Sequence, residues 1–300
     1  MRPAFVVISI LCTVSTRAAA SPEVALEDAR KILPEAAGAC ADVECAIASA
    51  YDKDAKAKAM ALALFHETGD VAGVGPEEIM DGGYRGKIKL VPQLPIGGHR
   101  VHLERVLSSA RSIDEFFTKL YANQTAKPAY RWRAIQLRFV RSINKRTPSA
   151  YATGWMVEYN VEGTLLTTAA GVRETLFHEL FHSNDGAHND WSARALQADY
   201  DAIVAKCPGA KLRCLAPYAP NGTTVRGGTY YAFQPNNGNG VHEYAAELAV
   251  RYWEEHAELL ANRKLSKPAF KCGPAVNARA WKAIVDEFFA SRDLTPACGS

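Results

Sequence analysis

Charge of one sign is scarce in this chain of 300 residues. Its formal charge is only +3 and its basic residues are scattered, which excludes a nucleic-acid footprint and leaves no partner signalled by charge. Internal repeats and low-complexity tracts are missing. No C-x-x-C pair occurs, so a thiolate zinc site is not expected. The glycine-rich run Asn237–Gly240 precedes a helical stretch but lacks the lysine of a P-loop, which argues against a phosphate cradle. What is present is 48% hydrophobic and 22% charged, enough to bury at least one sizeable core.

The first residues read as an address. Arg2 supplies a short positive region, Ala4 to Val14 is apolar, and Ala18-Ala19-Ala20 offers a small-residue cleavage pattern before Ser21. The apolar run falls short of the roughly 20 residues of a spanning helix. A signal peptide over residues 1–20 is therefore expected, giving a secreted or periplasmic protein with no stable membrane insertion after cleavage. Beyond Cys12 there remain Cys40, Cys45, Cys207, Cys214, Cys272 and Cys298, an even set suited to an oxidising compartment. Six cysteines allow 15 connectivities, and the local pattern Cys40/Cys45, Cys207/Cys214 and Cys272/Cys298 is the first expectation.

The alanine-rich stretch after the leader predicts a helical N-terminal region over residues 21–84, with Ala55 to His66 at helical spacing and a loop or boundary over Gly69 to Gly83. The main domain is then residues 85–300. Strands are expected at Lys87 to Val91, Ala134 to Val140 and Trp155 to Val161, with an edge-like strand at Gly163 to Thr168. Helices are expected over Val106 to Leu120, from Ala169 to about Ser183 with Thr168 as N-cap, and from Asp190 to Ala205. Three more follow: one beginning at Val241, then Glu254 to Leu265 and Val276 to Ser291. The order predicts an α+β fold, with a small mixed sheet packed on the helix after Thr168 and a mainly helical C-terminal part.

That helix carries His178-Glu179-Leu180-Phe181-His182. Residues four apart share a helical face, so both imidazoles can reach one metal ion. Glu179 sits on the flank, where it can serve as a proton acceptor without ligating. This is the physical content of H-E-x-x-H, and it points to zinc. Two residues compete for the third ligand position. His188 follows His182 by six, but Asp185 stands where a turning glycine would be needed, and the last methionine, Met156, precedes the motif. Glu243 is the stronger candidate: Glu243 and Glu247 are four apart in a segment of small and apolar residues, so one can ligate while the other orients a histidine. Asp185, His188 and Asp190 as a second ion site are outweighed by a solvated turn.

Taken together, His178-Glu179-Leu180-Phe181-His182 and the later Glu243-Tyr244-Ala245-Ala246-Glu247 resemble a gluzincin, the zinc-peptidase group with a glutamate ligand on a later helix. The two segments are also loosely similar to the catalytic domain of the anthrax lethal-factor family. The resemblance implies a zincin-like catalytic domain with His178, His182 and Glu243 on Zn2+, Glu247 behind them, and Glu179 as general base in the hydrolysis of a peptide or protein substrate. An oxyanion donor is also needed. Tyr231 is the first choice, with Tyr230 and Tyr244 close behind. Two readings compete with an endopeptidase: an exported binding protein with a structural metal site, against which the retained Glu179 counts, and a zinc amidase acting on cell-wall material. Oligomeric state is not encoded in any motif.

Overall fold

The computed structural model describes residues 23–33, 39–82, 85–225, 227–235, 240–261 and 264–299. The expected leader, the boundary residue Tyr84 and most of the Asn237–Gly240 run lie outside them. Three helices lead: α1 (Leu26–Ile32), α2 (Val43–Ala50) and α3 (Ala55–Thr68). Asp54 caps α3 by accepting from the amides of Lys56 and Ala57, and Gly69 ends it at φ 73°, a conformation that favours glycine.

The stretch expected as a loop before residue 84 instead contains β1 (Val71–Val74) and β2 (Glu78–Asp81). They join β3 (Lys87–Pro92), β4 (Gln136–Ser142), β5 (Ala150–Thr153) and β6 (Met156–Asn160) in one mixed sheet of order β2-β3-β4-β6-β5. β1 and β3 share one side of β4, β1 running parallel to its first half and β3 antiparallel to its second. The expected boundary is thus crossed by sheet pairing. Glycine misled the reading for a definite reason. A Cβ on Gly73 would stand 2.3 Å from the carbonyl oxygen of Ile32, so this glycine admits the backbone of α1 against the strand and does not mark a turn.

The core lies between this sheet and four helices: α3, α4 (Arg100–Leu120), α5 (Ala169–Ala187) and the later α9 (Gly240–Leu260). α4 buries Leu103, Val106, Leu107, Ile113, Phe116, Phe117 and Leu120 at helical spacing. Phe117, Tyr130, Phe177 and Phe289 stack beneath, with centroids 5.2 to 6.4 Å apart. Between α5 and α9 run α6 (Trp191–Ala195), α7 (Gln197–Lys206), α8 (Leu212–Leu215) and the hairpin of β7 (Thr224–Val225) with β8 (Thr229–Tyr230). α10 (Ala275–Phe288) closes the chain.

Three element expectations need correction. Residues 163–168 form no edge strand: Thr164–Thr167 is a 3-10 turn whose Leu166 carbonyl accepts from Arg105 at 3.0 Å, so that backbone is already committed. α5 does not stop at Asn184-Asp185-Gly186. Buried Asn184 bonds both the amide and the carbonyl of Arg131, at 2.7 and 2.9 Å, and Asp185 accepts from the amide and hydroxyl of Ser192. With these side chains engaged by tertiary partners, and Asn184 also bonding back to the Leu180 carbonyl, the helix runs on to Ala187. Finally, Val241 and Glu254 belong to one continuous helix, α9, in which Oε1 of buried Glu255 accepts from Arg251 and from the amide of Phe270. The mixed α+β class is as expected, and all three local disulfides form.

Candidate metal centre

α5 begins where Thr168 accepts from the amide of Gly171 at 3.0 Å, the cap foreseen from the sequence. Gly171 is required there, since a Cβ would stand 2.3 Å from the Leu165 carbonyl oxygen. From that start the helix buries Val172, Leu176, Phe177, Leu180 and Phe181. His178 and His182 project side by side from the opposite flank, their Nε2 atoms 3.1 Å apart. The facing helix α9 buries Val241, Tyr244, Ala245 and Leu248 and turns Glu243 toward the two rings. Glu243 Oε2 lies 3.1 Å from His178 Nε2 and 3.6 Å from His182 Nε2.

These three atoms could hold one metal ion, and their spacing is near that of a tetrahedral site. Bonds of roughly 2.0 to 2.2 Å at tetrahedral angles separate ligand atoms by about 3.3 to 3.6 Å, and the observed edges are 3.1, 3.1 and 3.6 Å. Among the described residues, this is the group of three such side chains whose ligand atoms lie within 4.8 Å of one another. The chemistry of the donors agrees. Glu247 Oε1 is 3.2 Å from Nδ1 of His178, so with a metal on Nε2 the ring proton would sit on Nδ1 and be donated to Glu247. Burial opposes a charge on His178, but bonding to Glu243 and Glu247 more than offsets it and pushes its pKa well above the ordinary imidazole range. Burial likewise opposes the charge on Glu243, and the two histidines nonetheless hold its carboxyl far below the usual carboxylate range. A buried carboxylate, Glu247, and a half-buried one, Glu243, facing imidazoles make a position that favours a cation.

Glu179 is 7% exposed, and burial raises its pKa, while the amide of Ala152 donates to its carboxylate. That amide belongs to β5, which among the described residues pairs in the sheet only with β6 and runs beside α5. A cleft of about 480 Å³ opens here, its walls including Ser149, Glu174, Glu179, Thr223 and Tyr231. Tyr231 stands edge-on to His178 with centroids 5.7 Å apart and reaches the cleft from the turn Tyr231–Phe233, whose amide bonds the Thr223 carbonyl at 2.9 Å. Tyr244 faces the other way, packed on Phe233 and Tyr200, and Tyr230 sits in β8 opposite Thr224.

His188, the alternative third ligand, is taken out of the site. It caps the C-terminus of α5, its Nδ1 2.6 Å from Glu287 and its ring against Phe288. Asp185 is bound to Ser192, and Asp190 precedes α6 at φ 50°, so the second ion site weighed for Asp185, His188 and Asp190 does not assemble. Ala152, Glu174 and Thr223 were not foreseen. Glu174 had a signal: it precedes His178 by four on the same helix. No family model, no curated protein and no solved structure matches this chain.

Proposed function

We propose that the protein is an exported zinc-dependent endopeptidase of gluzincin type, with His178, His182 and Glu243 as ligands and Glu179 as general base. The observation that carries this reading is the convergence of the two histidines and Glu243 beside a buried glutamate that no ligand set requires. A purely structural site would have no use for Glu179 at that place. The three disulfides, together with the absence among the described residues of any helix long and apolar enough to cross a membrane, support export. The arrangement of a sheet edge laid along the histidine-bearing helix supports a zincin-like catalytic domain.

A zinc ion at this position supplies a Lewis acid that makes a water nucleophilic near neutral pH and polarises a carbonyl. The residues of the chain do the rest. Glu179, its pKa raised by burial, takes a proton from the attacking water and passes it to the leaving nitrogen. Glu247 keeps the His178 ring in one tautomer. Tyr231, on the wall of the cleft, donates to the carbonyl oxygen as it gains charge. β5 offers an open edge, so an extended peptide adds to the sheet beside Glu179.

Metal analysis of the purified chain beside digestion of a casein-like substrate tests the reading. Near-stoichiometric zinc, cleavage, and loss of cleavage with retention of zinc in Glu179→Gln are expected. Bound zinc without cleavage would shift the reading to a binding protein, and cleavage indifferent to Glu179→Gln would remove the mechanism.

A further inference from the structure

Glu174 precedes His178 by four residues on α5. It therefore projects from the same face, about 6 Å further along the helix axis. It lines the cleft with Thr223 and Tyr231, and it also borders a second hollow, on the side of Glu254 and Arg251. The donor that faces it is the neutral hydroxyl of Thr223. Among the described residues no lysine, arginine or histidine nitrogen forms an ion pair with it, and Arg85, which also lines the cleft, has a partner of its own. Its acidic neighbours compound the imbalance. Burial and then Glu247 raise the pKa of Glu174, more than His178 and the Thr223 hydroxyl lower it, while Glu254 is pushed up to about 7 by burial and then by Glu174 against the pull of Arg251 and Lys267. A half-buried carboxylate with no ion-pair partner of its own, sharing the charge of His178 with Glu243 and Glu247, gains from an incoming cation.

A second metal ion does not fit that need. The carboxylates of Glu174, Glu247 and Glu254 do not meet within 4.8 Å, a condition reached among the described residues by the His178–His182–Glu243 group. An ammonium or guanidinium group needs no such convergence, and either one can donate to a single carboxylate and a hydroxyl. Extended peptide advances about 3.3 Å per residue, so a separation of about 6 Å corresponds to two residues.

We propose that Glu174 determines specificity in this cleft by selecting peptides with a cationic group, an arginine or lysine side chain or a free α-amine, within two residues of the scissile bond. This rests on the peptidase reading for the word scissile, but the cation preference itself is measurable without catalysis.

The test uses the zinc-loaded full chain carrying Glu179→Gln and reads binding by calorimetry. One pair of probes is an acetylated tetrapeptide amide containing arginine and its citrulline counterpart. The other is an uncharged tetrapeptide amide with and without an acetyl cap. At least one cationic member should bind about tenfold tighter than its neutral partner, and the responding pair tells side chain from α-amine. Adding Glu174→Gln should bring that ratio to about one, and Glu174→Lys should invert it, with zinc content unchanged. Equal binding within both pairs, or a preference that survives Glu174→Gln, overturns the proposal. Should Glu174→Gln fail to fold by circular dichroism, Glu174→Asp replaces it: a carboxylate withdrawn by one methylene should cut the ratio at least threefold, and an unchanged ratio would count against the assignment. Failure of the peptidase reading shows separately, as absence of cleavage by the chain with Glu179 intact.

Discussion

Glu247 Oε1 stands 3.2 Å from Nδ1 of His178, across the imidazole from Glu243, whose Oε2 is 3.1 Å from Nε2. One ring is therefore gripped at both nitrogens by two carboxylates one turn apart on α9. Helix spacing on one element thereby fixes the orientation of a ring on another.

If Glu247 orients His178, truncating it weakens the metal without removing a ligand. Glu247→Ala should lower zinc affinity by about 10- to 100-fold, measured by competition with a chromophoric chelator. An affinity unchanged from that of the parent chain would show that the contact with Nδ1 does no such work.

The choice of third ligand separates two variants. Glu243→Ala should abolish stoichiometric zinc binding, because a site with two protein ligands falls short of the three that a catalytic zinc keeps. His188→Ala should retain full zinc content. Its bond to Glu287 is partly exposed, so the loss of stability should be only about 0 to 1 kcal/mol. Zinc loss in His188→Ala with retention in Glu243→Ala would reverse the assignment.

How much of this was readable beforehand follows from where each signal originates. Local information sufficed for α5, because the apolar spacing of Val172, Leu176, Phe177 and Phe181 and the cap at Thr168 belong to the segment itself. The pairing of Glu243 with the histidines was accessible through its spacing from Glu247. What was not accessible depended on distant contacts. Gly73 reads as a turn former until the carbonyl of Ile32 is seen against it, and Asn184 reads as a helix stop until Arg131 supplies its partners. β5, four residues long and rich in alanine, has no pattern of its own; its pairing with β6 is what makes it a strand.

The disulfides should differ in worth. Cys272–Cys298 spans 26 residues, against 5 for Cys40–Cys45 and 7 for Cys207–Cys214. Loop-closure entropy then assigns about 3.5 kcal/mol to the long loop and about 2 kcal/mol to the shortest. The long one also fastens the C-terminal segment in which Asp293 and Thr295 bind Lys271. Urea titration of Cys272→Ala/Cys298→Ala and of Cys40→Ala/Cys45→Ala should give the larger loss for the first pair. Equal losses would mean that structure retained in the unfolded chain cancels the loop term.

Asp70 predicts a pH dependence whose sign can be worked out. The residue is 4% exposed, and burial pushes its carboxyl up to about 7 despite bonds from the Ile135 amide and Thr68 and the nearby charges of Arg131 and Arg133. Its unfolded value is about 3.9. Between those values the folded chain holds a proton that the unfolded chain has released, so the contribution of Asp70 is fully present below about pH 4 and is lost as pH rises through about 7. The slope is at most about 1.4 kcal/mol per pH unit. Asp70→Asn keeps an oxygen to accept from Ile135 and removes the buried charge. Relative to the parent chain it should be nearly neutral at pH 4 and stabilising at pH 8, with the gain accumulating between them. Urea titrations at pH 4, 6 and 8 read this directly. A difference that stays constant across the three would mean that Asp70 is ionised at every pH, with the arginines and amides around it fully compensating its burial.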